Sequence, residues 1–196
     1  ESAIGDFFAD VFLHAYDDAL RSQEQRGELN PARDAGVRQV DIAFFCGGAL
    51  RGDTVYGPGS ISLGDILEIM PFEDSVIVKE ITGQQVLDAL ESGLSAYPKQ
   101  EGRFPVVAGL AVKWDSMRPP GQRVVEAHVL ADGHLFEGKD NENKTEMKAR
   151  RFELVRHKDG YDCEVYRPKM LLKEPIQKDK LYRVVMREVS SLFFRV

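Results

Sequence analysis

The segment VDIAFFCGGALRGD, residues 40–53, decides how the chain folds. Val40 to Phe45 is a short apolar run closed by a glycine pair, and it reads as a buried strand. Gly47 and Gly48 let the backbone turn tightly at the strand end and let a ligand approach closely. Arg51 then projects from that rigid strand end into a cleft, and arginine suits bidentate contact with phosphate or carboxylate. The bland alternative is an ordinary turn with a surface arginine. Arg51-Gly52-Asp53 also spells an adhesion tripeptide, but three residues match by chance and nothing else here looks like an adhesion module.

On the N-terminal side, Ile4, Phe7, Phe8, Val11, Phe12, Ala15 and Leu20 recur at helical spacing and predict an amphipathic opening helix. Residues 21–38 are polar, contain Gly27, Pro31 and Gly36, and read as a loop. On the C-terminal side, a glycine-rich loop over 47–60 precedes Ser62 and Asp65, a capping-box pair that opens a second helix. Pro71 ends it. Residues 75–81 (SVIVKEI) read as a strand, and Thr82 with Gln85 opens a third helix ending near Gly93. Residues 104–114 read as one strand, 115–121 as a turn, and 123–130 as the returning strand of a hairpin. Residues 132–148 are charged and polar, and two further strand candidates lie at 151–155 and 181–186. Helices come early and paired strands late, so the fold class is α+β.

Composition narrows the function. The 196 residues are 43% hydrophobic and 30% charged, as expected of a globular chain with a real core. A net charge of −6 argues against general nucleic-acid or anionic-membrane binding. No apolar run approaches the roughly 20 residues of a membrane span. Two cysteines, Cys46 and Cys163, make no disulfide framework and assign no compartment. His14, His128, His134 and His157 form no metal-ligating spacing, and no phosphate-binding glycine loop or nucleophile elbow is present. The chain starts at Glu1, already in helical pattern, and reads as a domain cut from something longer.

Two further segments carry chemistry-bearing side chains. In Met70-Pro71-Phe72-Glu73-Asp74, a loop Phe72 can stack on a planar base and the acidic neighbours can accept from base amines. Folding back onto the core is the commoner fate of a phenylalanine. In Lys158-Asp159-Gly160-Tyr161, a turn can carry Tyr161 over a ligand, or simply close a hairpin.

Taken in order, these pieces resemble the C-terminal domain of the 5′-nucleotidase family of metallophosphoesterases. The resemblance is carried, in order, by residues 1–10, 41–45, 47–51, 59–67, 70–72, 81–83, 87–91, 102–110 and 120–124, so that from first motif to last it spans most of the chain. It implies an α+β domain with a mixed sheet, helices and a long β-hairpin. The expected organisation is a single domain over 1–196, with a charged insertion around 132–172. The resemblance also implies a division of labour. Two divalent metal ions sit in an N-terminal metallophosphatase domain, absent here, and this domain grips a nucleotide or related phosphate ester; no cofactor belongs to this chain itself. Carried over by position, Arg51 matches the substrate-contacting arginine of the Gly47-Gly48 loop, and Phe72 matches the first base-stacking ring.

The sequence departs from the family pattern at two places. Asp74 and Cys46 stand where many members have asparagine. The second base-stacking aromatic has two placements. Phe152 can be the ring, with Asp159, Gly160 and Tyr161 as the loop beyond it. Alternatively, residues 174–184 are the terminal strand, which they resemble more closely, and the loop is absent from this sequence. Two other readings stay open: a degenerate interaction module of the same fold, and a phosphoesterase for a cyclic nucleotide, a nucleotide sugar or another ester.

Overall fold

Both sides of the Ile42–Phe45 run are covered, which explains why it does not alternate with polar residues. In the computed structural model, strand β1 (Ile42–Cys46) lies inside a four-stranded sheet. The structure describes residues 2–28, 39–52, 55, 60–99, 101–130 and 172–190, with 172 and 173 as backbone, and the backbone of 152–156 and 162–166. Ile42 and Phe44 point to one core, and Ala43 and Phe45 to another. Burying a ring of that size stabilises by roughly 2–3 kcal/mol, and Phe44 and Phe45 are both fully buried. A charge placed anywhere from 42 to 45 would therefore enter a core.

The sheet also holds β2 (Val76–Thr82), β3 (Pro105–Ala108) and β9 (Leu181–Arg187), in the order β2-β9-β1-β3. β9 runs parallel to β1, with Phe44 opposite Met186, and antiparallel to β2, with Val76 opposite Arg187. The sheet is mixed because the last described strand slots between two early ones. Along β9, Tyr182, Val184 and Met186 face the core of Ile42 and Phe44, while Val185 faces that of Ala43 and Phe45.

Helix α1 (Ala3–Gln25) covers the second face with Phe8, Ala9 and Leu13. It outruns the sequence expectation by several residues, because Arg21, Gln23, Glu24 and Gln25 are good helix formers and no breaker comes before Gly27. Helix α2 (Leu63–Ile69) adds Ile69 to that core. Helix α3 (Gly83–Leu94) covers the first face with Val86, Ala89 and Leu90. Both predicted capping boxes form: Ser62 with Asp65, and Thr82 with Gln85. Gly93 lies inside α3 rather than after it. An added Cβ there would come within 2.9 Å of the Arg103 carbonyl oxygen, so a close approach of the chain, not a helix end, calls for glycine.

The expected single strand over 104–114 is two strands. β3 ends at Ala108 and β4 (Leu110–Trp114) belongs to a second sheet with β5 (Val124–Leu130) and β8 (Leu172–Pro175), in the order β4-β5-β8. Gly109 makes the break: its φ of +74° lies in the left-handed region, and an added Cβ would run into the Asp41 carbonyl. The β4–β5 hairpin forms as expected. Leu130 of β5 pairs with Leu172 of β8, so the strands on either side of 131–171 in the chain are neighbours in the sheet. Within that span, β6 (Phe152–Arg156) and β7 (Asp162–Tyr166) make a separate two-stranded sheet. The charged segment 132–148 lies outside the described residues. Among the described residues, no helix is long and apolar enough to cross a membrane.

Candidate functional site

The end of β1 runs into a single 3-10 turn, Gly47–Ala49, which is braced from within the chain. Gly47 N–H donates to the Phe104 carbonyl and Gly48 N–H to the Gly102 carbonyl, both at 2.7 Å. A Cβ on Gly48 would sit 2.9 Å from Gly102 Cα. The close approach that the glycine pair permits is thus to the chain's own backbone, and both amides already have acceptors. Leu50 packs against the α1-side core. Arg51 N–H donates to the Ile69 carbonyl at 2.6 Å, which ties the loop to the last turn of α2.

That tie brings Arg51 beside the loop after α2. Its guanidinium carbon lies 5.0 Å from the centroid of the Phe72 ring, within cation–π range. Phe72 is 45% exposed, so it does not fold into the core. A second guanidinium, that of Arg187 at the end of β9, lies 5.7 Å from the same centroid. Arg187 Nη2 donates to the Phe72 carbonyl at 3.2 Å and forms an ion pair with the Asp74 carboxylate. Glu188 N–H donates to the Ser75 carbonyl at 2.8 Å and closes the loop behind Phe72.

Arg187 and Asp74 offset each other as an ion pair, so Arg51 carries the net positive charge of the cluster. Beside the half-exposed ring, Arg51 suits a ligand that joins a planar group to an anion. Arg51, Phe72 and Asp74 are therefore brought together, and Gly47 and Gly48 brace the loop that carries Arg51. Cys46 is a free, half-buried thiol at the end of β1, opposite Pro105. Phe152 opens β6, where its backbone pairs with Tyr166. Asp159, Gly160 and Tyr161 lie outside the described residues, between the paired strands β6 and β7.

Arg187 escapes a reading of the sequence. One signal is available: Arg183, Val185 and Arg187 share a strand face, and an arginine inside a buried pattern needs a partner. Both arginines are buried. Arg183 Nη2 donates to the Tyr16 hydroxyl at 3.1 Å, on the same face of the sheet.

A groove of about 640 Å³ lies elsewhere, between α3 and β5. It is lined by Asp88, Glu91, Val124, His128, Ile176 and Lys178 and does not include Arg51 or Phe72. Its Glu91 carboxylate accepts from the backbone N–H groups of Arg123 and Val124 at 3.0 and 2.6 Å and so holds the β5 start to α3. Among the described residues, no group of three histidine, cysteine or acidic side chains is arranged to hold a metal ion.

A family model described as 5′-nucleotidase, C-terminal domain, matches residues 1–143. The chain belongs to this family. Among its relatives, the trifunctional nucleotide phosphoesterase protein YfkN of Bacillus subtilis (strain 168) is 35% identical over 130 residues, which is 62% of this chain and 8% of that protein. A 5′-nucleotidase-related protein of Glossina morsitans morsitans is 29% identical over 150 residues, 74% of this chain and 25% of that protein. The crystal structure of a 5′-nucleotidase precursor from Thermus thermophilus superposes with a TM-score of 0.60 at 25% identity, over 97% of this chain and 26% of that one. This chain spans about a quarter or less of the length of each. The α+β architecture with a mixed sheet is thus that of 5′-nucleotidase C-terminal domains.

Proposed function

We propose that this domain is the substrate-recognition part of a 5′-nucleotidase-like phosphohydrolase. The base stacks on Phe72, Arg51 contacts the phosphate, and hydrolysis takes place in an N-terminal domain outside this chain. The observation that carries the reading is Arg51 held beside an exposed Phe72 by a backbone tie from its loop to the last turn of α2. The names of the relatives support a nucleotide ester as the substrate class. The described residues offer no ligand set for metal ions, and on this reading the two metals belong to the N-terminal partner domain. That domain supplies the nucleophile, and this one binds and orients. Residues 132–172 are an insertion in the domain, and the pairing of Leu130 with Leu172 supports that reading.

One aromatic face and one arginine make a modest site. Stacking contributes about 1–3 kcal/mol, which corresponds to a dissociation constant in the millimolar range once a single charged contact is added. Titrating the chain with AMP, a cyclic nucleotide and a nucleotide sugar tests both the reading and the substrate class. Binding of AMP that weakens in Phe72→Leu and in Arg51→Ala supports it. No binding of any of the three at tens of millimolar sinks it.

One observation favours a second reading, a degenerate module that binds no nucleotide. Asp74 is paired with Arg187, and Arg51 already lies beside the ring. A ligand then has to displace Arg51 from Phe72, and the titration decides whether it does.

A further inference from the structure

Arg187 has no evident part in meeting a ligand from solvent, because its side chain is only 3% exposed. Its polar partners among the described residues are the Phe72 carbonyl and the Asp74 carboxylate, both on the loop between α2 and β2. Its guanidinium also lies beside the Phe72 ring. It reaches all three from a strand flanked by β1 and β2, a rigid platform in the middle of the sheet.

We propose that Arg187 is a positioning residue for Phe72. It grips the loop at the carbonyl of Phe72 and at the side chain of Asp74, and so presents the ring in one orientation. This inference rests on the reading that Phe72 receives the base. The physical reason is the cost of ordering. A half-exposed phenylalanine on an unanchored loop samples several orientations, and a ligand that stacks on it must freeze one of them. An ion pair to a buried cation removes that cost before the ligand arrives. The pair also accounts for the aspartate at 74, because an asparagine there would leave the Arg187 charge buried without a counter-charge.

The test uses the chain labelled with 4-fluorophenylalanine, with the Phe72 signal assigned by its loss in Phe72→Leu. Fluorine spectra are compared for the wild type, Asp74→Asn and Arg187→Met, and Arg187→Met, which leaves only a carboxylate that water can reach, serves should Asp74→Asn fail to fold. The Phe72 signal is expected to move toward that of the free amino acid in both variants, while the other fluorine signals stay in place. The same proteins are titrated with AMP, adenosine and ribose 5-phosphate. AMP and adenosine should weaken in parallel, by about tenfold if most of the stacking is lost, and ribose 5-phosphate should be unchanged. An unmoved Phe72 signal overturns the proposal. So does a movement of all the signals together, which is the mark of a merely structural role, or a loss of ribose 5-phosphate binding equal to that of AMP, which is the mark of a phosphate contact. If the Phe72 signal moves but the wild type binds neither AMP nor adenosine, the nucleotide reading fails and the positioning of Phe72 by Arg187 stands.

Discussion

The two loops of the candidate site are held by different means. The Arg51 loop is fastened through backbone: Gly47 and Gly48 donate to carbonyls at 104 and 102, and Arg51 donates to that of Ile69. The Phe72 loop is fastened mainly through side chains, by a buried arginine that reaches the Phe72 carbonyl and the Asp74 carboxylate. A backbone brace tolerates most changes of side chain but not an added atom where the two backbones touch. A side-chain brace tolerates added atoms but not a lost charge. Substitutions that exchange these sensitivities would break the contrast.

The largest expected effect is at Gly48. Any Cβ there meets the Gly102 backbone at about 3 Å, and backbone cannot rotate away as a side chain can. Gly48→Val should destabilise by about 3 kcal/mol, read as a shift of the denaturant midpoint. A change below about 1 kcal/mol would mean that the two loops can part without loss, and the brace would not be one.

Next comes the ion pair, where the two partners differ in cost. Asp74 is one-third exposed and Arg187 almost wholly buried. Removing the carboxylate strands a buried cation, whereas removing the cation leaves a carboxylate that water can reach. Asp74→Ala should therefore cost about 2 kcal/mol, the scale of a buried donor left without its acceptor, and Arg187→Met less, with Asp74→Ala/Arg187→Met less than the sum. Equal single costs with strict additivity would show that the two groups do not act as a pair.

The same contrast governs what can be read from the sequence. Features fixed by near neighbours are legible. Ser62 with Asp65 and Thr82 with Gln85 announce their helices because each cap closes over three residues. The doubly buried β1 announces itself as an unbroken apolar run. The break at Gly109 is not legible, because apolar residues continue on both sides and only the approach of Asp41 forces the left-handed turn. Arg51 and Phe72 can be named as candidates from loop chemistry and family resemblance. Arg187 cannot, since its partner Asp74 lies 113 residues earlier in the chain. Nor can the paired state of Asp74, which in isolation reads as an acceptor awaiting a ligand.

A smaller effect on stability separates binding from bracing. Arg51 is exposed, and its contact with the Phe72 ring is worth about 0.5–1 kcal/mol. Arg51→Ala should leave the fold within that margin of the wild type while weakening AMP and ribose 5-phosphate by about tenfold, as expected for a lost charge-assisted contact. Calorimetric melting and titration on the same samples separate the two. A large loss of stability would move Arg51 into the brace and out of the site.

The smallest effect concerns the helix that leads into the Phe72 loop. The N-terminus of α2 is closed by Asp65, whose carboxylate accepts from the Ser62 hydroxyl and the Ser62 amide, both at 2.7 Å. The hydroxyl bond first and the amide bond second hold the Asp65 pKa below its ordinary value of 3.8. A folded-state pKa lower than the unfolded one favours the folded state at every pH above the unfolded value, and the benefit is lost as pH falls through the folded value. The melting temperature of the wild type should therefore exceed that of Asp65→Ala most clearly near neutral pH, and the gap should close as pH is lowered below the ordinary carboxylate range of about 4. The Gly47–Gly48 brace contains no titrating group, so the gap between the wild type and Gly48→Val should not close with it. If both gaps close together over that range, acid is loosening the domain as a whole, and the two loops do not depend on separate chemistry.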